Sequence, residues 1–255
     1  MTVLGKSPAW ADAGGACSGY LVESGSTRVL LDCGPGVLGK LRAVRDYAAI
    51  DAIVLSHLHA DHMLDLVPYA SALAYGPRWS SRPAPRPHLH APPGARAAFA
   101  RVCGGAGMRA THVEESFALH EYDPADTLAI GDLHLRFQPV PHFVPAHAVE
   151  VADGGVRLTF SSDCGPNPQL CAFARGTDLL LIEATLSEGE AAGEEQRRGH
   201  LTPREAGEHG RCAQARRLVL THISDELDPV AARAAAAAAF GGEVEMAVEH
   251  AVYAL

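Results

Sequence analysis

Residues 56–62 of this chain read Ser-His-Leu-His-Ala-Asp-His and follow directly on the apolar run 53–55, Ile-Val-Leu. Four ligand-type side chains therefore fall within six positions: His57, His59, Asp61 and His62. The first two histidines, two positions apart, point to one side of an extended segment. The last two ligands stand at the turn into a helix and can face a second ion. Three imidazoles and a carboxylate at the end of a buried strand make a poor core, but they suit a borderline divalent metal such as zinc.

The composition is that of a globular protein with a sizeable core. Apolar residues make up 47% of the 255 residues and charged residues 20%, which argues against global disorder. The formal net charge of −9 argues against a general binder of nucleic-acid backbones, because such a protein needs a basic face. No stretch resembles an 18-residue apolar span, so we expect no membrane segment.

The cysteines indicate the compartment. All six are scattered, and none forms a Cys-x-x-Cys pair. Their even number permits disulfides, but the N-terminus Met-Thr-Val-Leu-Gly-Lys lacks a signal-peptide pattern, which favours a reducing compartment. We therefore expect a soluble cytoplasmic protein.

Strand-like and helix-like segments follow one another along the chain, as in layered α/β proteins. In the first half we predict strands over 19–23, 28–32 and 52–55 and helices over 37–47, about 63–74 and 94–102. In the second half we predict strands over 133–137, 156–160, 178–183 and 218–220 and helices over 168–175, 203–212 and 229–240. We expect one domain over residues 1–255. A proline-rich loop at 76–93 is the candidate for a mobile loop or lid.

Single polar residues end several other apolar strands. These residues are His142, Asp163, Glu183 and His222. Any one of them alone would more often be a surface or hydrogen-bonded residue. Strand ends in α/β proteins border a common crevice, so their recurrence beside the 57–62 cluster indicates one shared site.

The order His-x-His-x-Asp-His, then His142, Asp163 and His222, resembles the metallo-β-lactamase superfamily. The resemblance covers essentially the whole chain, including Asp32 in Leu-Leu-Asp-Cys-Gly. It implies an α/β fold, a four-layer αβ/βα sandwich, with two divalent ions at one edge. Zinc is expected, and manganese or iron would fit the same ligands. By the resemblance, His57, His59 and His142 hold the first metal, Asp61, His62 and His222 hold the second, and Asp163 bridges them.

Two further segments resemble the ribonuclease Z-like branch of this superfamily, in which a glutamate orients a catalytic histidine. They are Ile182-Glu183-Ala184-Thr185 and His200-Leu201-Thr202. Ribonuclease Z usually has histidine where this chain has Ile182, which leaves Glu183 in place. Glu183 could also be an ordinary strand-end carboxylate, and His200 could merely precede a helix cap. The functional interpretation is favoured because the capping box that starts at Thr202 fixes the backbone just after His200.

A glutamate–histidine pair beside two metals favours phosphodiester hydrolysis. A metal-bridging hydroxide would attack phosphorus in line while the ions neutralise the phosphate oxygens. Asp61 would hold the proton of that hydroxide. His200 would stabilise the developing charge or protonate the leaving oxygen, and Glu183 would fix its tautomer.

The substrate is expected to be a small phosphodiester. Ribonuclease Z enzymes carry a long basic arm for transfer RNA between the motifs that match His142 and Asp163, and here only 20 residues separate the two. The chain most resembles small actinobacterial proteins similar to cyclic-nucleotide phosphodiesterases, which share its Leu-Ser-His-Leu-His-Ala-Asp-His core. His147, where those relatives usually have tyrosine, could touch the substrate, although a lone histidine more often lies behind the ligands or at the surface. Such relatives often dimerise, so a homodimer stays open.

Two other classes of function remain compatible with the sequence. The same two metals could hydrolyse a carboxyl ester, lactone or thioester, although Glu183 and His200 weigh against this. A non-catalytic, metal-binding accessory protein could keep the ligands without turnover, although the intact ligand set weighs against it.

Overall fold

The computed structural model of the protein describes residues 1–190 and 198–255. The elements of the first half are β1 (Thr2–Gly5), β2 (Gly19–Ser24), β3 (Thr27–Leu31), α1 (Val37–Val44), β4 (Ala52–Val54), α2 (Ala60–Met63), α3 (Leu66–Tyr75), β5 (His88–Ala91), α4 (Ala95–Gly105), α5 (His112–Ser116) and β6 (Ala118–Glu121). Those of the second half are β7 (Leu128–Ile130), β8 (Leu133–Val140), β9 (Ala146–Asp153), β10 (Val156–Phe160), α6 (Pro168–Phe173), β11 (Leu179–Glu183), α7 (Pro203–Ala213), β12 (Arg217–Thr221), α8 (Pro229–Phe240) and β13 (Val244–Met246).

The strands form two mixed sheets. The first sheet has the order β1-β2-β3-β4-β5-β6, and the second has the order β13-β12-β11-β10-β9-β8-β7. In the first sheet β3 to β6 run parallel, and in the second sheet β10 to β13 run parallel. The other neighbours pair antiparallel through hairpins. Each sheet thus has a parallel half whose carboxyl ends meet at one edge.

Three apolar cores lie between four layers. The middle core joins the two sheets and includes Tyr20, Val54 and Phe160. The helices of the first half cover the outer face of the first sheet. Helices α6, α7 and α8 cover the outer face of the second sheet. This arrangement confirms the predicted αβ/βα sandwich and explains why the central strands are apolar on both faces.

Two predicted helices are shorter than expected. The helix that starts at Val37 ends at Val44, because the chain turns extended at Arg45 and Asp46 accepts a hydrogen bond from Ala48 N–H to begin a 3-10 turn. The helix predicted over 63–74 is instead two helices, α2 and α3, with a break near Asp65. There the Asp65 N–H donates to Cys33 O, so the break is tied to the turn after β3.

The proline-rich stretch 76–93 is only partly a loop. Residues 88–91 form β5, an internal strand that pairs with both β4 and β6, so the prediction was wrong there. Because β5 runs parallel to β4, the irregular residues before β5 lie at the amino end of these strands. The predicted metal ligands of the 57–62 cluster follow the carboxyl end of β4. The stretch therefore lies at the opposite end of the sheet from them and is not placed as a lid.

The other predicted elements lie where the sequence placed them to within a few residues. The capping box is present, because Thr202 Oγ1 accepts from Glu205 N–H and the Glu205 carboxylate accepts from Thr202 N–H. All six cysteines are free thiols, and five are buried. Across the described residues, every helix is too short or too polar to cross a membrane.

Two glycines give a test of how helices α7 and α8 pack. A Cβ added at Gly207 of α7 would come within 2.3 Å of Ala236 O in α8, whereas one added at Gly39 of α1 would meet nothing within 4 Å. We expect Gly207→Ala to lower the free energy of unfolding by about 1–3 kcal/mol through overpacking. Gly39→Ala should raise it by about 0.5–1 kcal/mol, because alanine is the better helix former. Urea unfolding of both variants measures this, and equal effects would contradict the close helix approach.

Candidate metal centre

The carboxyl ends of four strands bring the predicted ligands together. The 57–62 cluster follows β4, His142 follows β8, Asp163 follows β10 and His222 follows β12. Ligand atoms from these segments form two groups of four, each within 4.8 Å: His57, His59, His142 and Asp163, and then Asp61, His62, Asp163 and His222. All seven predicted metal ligands are therefore in one place, and Asp163 belongs to both groups.

The first group has the geometry of converging imidazoles. His59 Nδ1 lies 3.0 Å from His142 Nε2, and their ring planes cross at 73°. His57 Nε2 and His142 Nε2 each lie 3.8 Å from Asp163 Oδ2. Two ring nitrogens about as far apart as those of His59 and His142 can bind the same ion at zinc–nitrogen distances near 2.0–2.1 Å.

The second group is more compact and carries a second carboxylate. His222 Nε2 lies 3.2 Å from Asp61 Oδ2, 3.4 Å from Asp163 Oδ2 and 3.4 Å from His62 Nε2. His62 Nε2 in turn lies 3.3 Å from oxygens of both carboxylates. Two imidazoles and two carboxylates in this arrangement suit a second divalent ion.

Two buried atoms of the site have no hydrogen-bond partner among the described residues: His57 Nε2 and Asp163 Oδ1. Leaving such atoms unpaired costs free energy in an ordinary core. Both point into the ligand groups, where an ion would use their lone pairs. The residues present therefore fit a dinuclear centre.

The charge balance of the site also favours cations. Burial alone would raise the carboxylate pKa values, but the neighbouring imidazoles hold the pKa of Asp61 and of Asp163 well below the usual range. Burial would likewise lower the pKa of His62, yet Asp163 and Asp32 raise it well above its ordinary value. A positive charge is thus favoured at His62 Nε2, and a divalent ion can supply it in place of a proton.

Asp32 at the end of β3 orients the second group. Its carboxylate accepts from His62 Nδ1–H at 2.7 Å, from Ser56 N–H at 2.7 Å and from the Ser56 hydroxyl at 2.8 Å. With the proton held on Nδ1, the Nε2 lone pair of His62 faces the site. The sequence marked Asp32 only as part of the resemblance, and its role follows from these contacts.

Other ligands are oriented in the same way by residues that the sequence analysis did not single out. His142 Nδ1–H donates to Gly199 O at 2.7 Å, and His222 Nδ1–H donates to Thr185 Oγ1 at 2.8 Å. Thr185 Oγ1–H donates to Glu183 Oε2 at 2.7 Å. Thr185 lies two residues after Glu183 in Ile-Glu-Ala-Thr, and that spacing is the signal that could have revealed it.

Glu183 and His200 lie next to the two ligand groups. Glu183 is fully buried, and its Oε1 accepts from His200 Nδ1–H at 2.9 Å. The same carboxylate accepts from the backbone N–H groups of Cys164 and Leu201. Burial lowers the pKa of His200, but Glu183 and Asp163 outweigh it and raise this pKa to about 9. His200 Nδ1 lies 4.0 Å from Asp163 Oδ2, so the predicted pair borders the centre.

His147 lies beneath the ligand run and not at its open side. It is buried on β9, with Nδ1 at 3.2 Å from the Tyr122 hydroxyl and 3.4 Å from Ser56 O. The Tyr122 hydroxyl donates to Leu55 O at 2.9 Å. His147 and Tyr122 therefore support the backbone just ahead of the metal ligands.

The protein class follows from a family comparison that agrees with this geometry. The family model described as "Beta-lactamase superfamily domain" matches residues 27–223. The chain belongs to the β-lactamase superfamily, and its clustered histidines and aspartates mark it as a metallo-hydrolase of that superfamily.

Particular relatives place the chain near YhfI and ribonuclease Z. "Probable metallo-hydrolase YhfI" of Bacillus subtilis is 29% identical over 259 residues, covering 97% of this chain and 96% of YhfI. The crystal structure of YhfI superposes with a TM-score of 0.87 and 26% identity, over 99% and 97% of the two chains. A ribonuclease Z of Myxococcus xanthus is 28% identical over 98% of this chain and 95% of its own length. An uncharacterized protein of Mycobacterium tuberculosis is 32% identical over 88% of this chain and 80% of its own length.

Metal analysis tests the ligand groups directly. Zinc-supplemented protein should retain about two equivalents of divalent metal after desalting. His59→Ala and His222→Ala should each retain about one, because each side chain belongs to only one of the two groups of four ligands. His134→Ala is the matched control, since His134 is exposed near the start of β8, at the other end of that strand from His142. Full retention by both ligand variants in elemental analysis would refute the assignment.

Asp32→Asn tests how the second group is oriented. Asn tolerates the left-handed backbone of Asp32, whose φ is 58°, so the fold should survive. The loss of the carboxylate behind His62 should weaken metal binding by about 10–100-fold in chelator competition. Asp51→Asn, which alters an exposed carboxylate that accepts from Arg28 N–H, should leave the affinity unchanged. An Asp32→Asn affinity equal to that of Asp51→Asn would overturn this role.

Proposed function

We propose that this protein is a metal-dependent phosphodiesterase that acts on a small substrate such as a cyclic nucleotide. The main support for this proposal is the Glu183–His200 hydrogen bond of 2.9 Å, which lies beside the two groups of predicted metal ligands. A buried carboxylate that fixes one ring nitrogen leaves the other free for a substrate atom. Such a pair supplies, close to the metals, either a proton donor or a positive charge that can pair with an anion. Hydrolysis of a carboxyl ester by the metals alone would not require it.

The residues of the site have different roles in the proposed reaction. Bound divalent ions would activate water and neutralise the phosphate oxygens. Asp61 presents a largely buried carboxylate that can accept a hydrogen bond from the attacking water and orient it. His200, held through Nδ1 by Glu183, can stabilise the developing charge or give a proton to the leaving oxygen. Asp163 belongs to both groups of four ligands and would be shared by the two ions.

The chain between His142 and Asp163 supports a small substrate. It consists of a short turn and the β9–β10 hairpin, whose strands pair from Val149↔Phe160 to Asp153↔Val156. The tip of this hairpin lies at the far end of the strands from the metal centre. There is thus no extended arm between these motifs to grip transfer RNA, and the net charge of −9 also disfavours a nucleic-acid backbone.

We also propose zinc as the metal and the cytoplasm as the location. Three imidazoles with a shared carboxylate suit zinc, although manganese or iron could occupy the same ligands. Six free thiols suit a reducing compartment.

A substrate panel tests the proposed reaction. Bis(p-nitrophenyl) phosphate, 3′,5′- and 2′,3′-cyclic nucleotides, a β-lactam and a thioester would each be assayed with zinc and with manganese. We expect turnover of the phosphodiesters. Turnover of only the lactam or the thioester would replace the proposal by carboxyl-group hydrolysis. No turnover by metal-loaded protein would point to an accessory protein.

Substitutions at the pair test its role in the reaction. His200→Ala should lower phosphodiester kcat by about 10²–10⁴-fold, the range of general acid–base catalysis, while two metal equivalents remain bound. Glu183→Gln should also lower kcat, because the carboxylate charge beside His200 is lost. His134→Ala, at an exposed histidine, should retain wild-type kcat. Unchanged kcat in both site variants would overturn the proposal.

A further inference from the structure

An exposed aromatic ring borders the catalytic pair. Phe143 follows the ligand His142, and 66% of Phe143 is exposed. Its ring centroid lies 5.1 Å from the His142 ring and 5.8 Å from the His200 ring. The described part of the chain has other exposed large apolar residues, including Trp10 and Tyr75, but no such ring contact with the site is seen for them. Phe143 thus presents a free aromatic surface where a substrate would enter.

Gly199 leaves room for the Phe143 ring in this place. A Cβ at position 199 would come within 2.7 Å of Phe143 Cε2 and 2.9 Å of His142 Nδ1. The ring therefore packs over a bare stretch of backbone whose carbonyl also orients His142. A ring held in position on one side and open on the other can bind a partner without first being ordered, which lowers the entropic cost of binding.

The surroundings of Phe143 favour a flat aromatic group over an acyl chain. The ring neighbours shown for Phe143 are two polar imidazoles, His142 and His200, whereas a long acyl chain would need apolar neighbours to cover it. A flat ring stacks on another flat ring, and every nucleobase has a π-face. Among phosphodiesters, those that carry such a group are nucleotides.

We propose that Phe143 determines specificity by stacking on the purine or pyrimidine base of a nucleotide substrate while its phosphodiester lies at the metal centre. This inference rests on the proposed phosphodiesterase function and adds the chemical class of the group that is recognised. Phe143 contributes to binding of the base, and His200 and the metal ligands act on the phosphate. The effect of Phe143 should therefore depend on whether the substrate has a base.

The test compares substrates with and without a base. For 3′,5′-cyclic AMP, Phe143→Ala should lower kcat/KM by about tenfold or more, mainly through KM, which is the size of effect that base stacking gives. For the cyclic phosphate of 1,3-propanediol, which has no base, kcat/KM should stay within about twofold of the wild-type value. Phe143→Trp should restore the value for cyclic AMP. An equal loss on both substrates would show a structural role and overturn the inference.

Tyr75→Ala is the matched control. Tyr75 is 68% exposed and its ring also lies near a histidine, His112, but it ends α3 at the opposite end of the sheet. This variant should match the wild type on both substrates. A loss of cyclic AMP turnover as large as that of Phe143→Ala would overturn the inference.

A binding measurement separates this inference from the proposed function. Calorimetry would compare adenosine 5′-monophosphate with ribose 5-phosphate, using zinc-loaded wild type and Phe143→Ala. We expect the variant to bind the adenosine compound about tenfold more weakly or worse and the ribose compound equally well. If neither protein hydrolyses a phosphodiester but this difference persists, the proposed reaction fails and the base contact stands. If adenosine monophosphate binds both proteins equally, the base contact fails whatever the activity.

Discussion

The buried carboxylate of Asp163 is the constraint around which the site is arranged. It follows β10 and lies within 4 Å of ring nitrogens of His57, His62, His142 and His222, and among the described residues its Oδ1 has no hydrogen-bond donor in suitable geometry. A buried charge is tolerated only when it is paired or coordinated. A proton on His62, whose pKa is raised well above its ordinary value, or a divalent ion between the ligand groups would pair with this charge, so the arrangement depends on a positive charge at this place.

The backbone around the site is strained where it must place these groups. Asp32, Ser162 and His222 have φ values of 58°, 57° and 52°, in the left-handed region that non-glycine residues seldom occupy. Each stands just after β3, β10 or β12. A sharp turn at the end of a strand directs the next polar group into the crevice, and the surrounding hydrogen bonds keep the turn in place. The parallel strands place the predicted ligands at one edge of the sheets, and these turns direct their side chains toward one another.

The sequence predicted the ligands better than it predicted their supports. Apolar strands ending in His142, Asp163 or His222 are visible as local patterns, and the two sheets bring them together. Phe143, Thr185 and Gly199 act through contacts with residues distant in the chain, which periodicity does not reveal. The loop predicted over 76–93 was partly wrong for a similar reason. Prolines mark irregular backbone, but pairing of 88–91 with strands on both sides outweighed that local signal.

Residues 198–200 connect the predicted ligand His142, the proposed acid His200 and the Phe143 ring. The Arg198 side chain pairs with Glu205 of the capping box at the start of α7, which ties the segment to a rigid helix. The next residue, Gly199, accepts from His142 and makes room for the Phe143 ring. His200 then pairs with Glu183. A shift of this short segment would displace His142, the proposed acid His200 and the Phe143 ring together. A Cβ at Gly199 would crowd both the Phe143 ring and His142, so a substitution there would disturb the first ligand group as well as the ring.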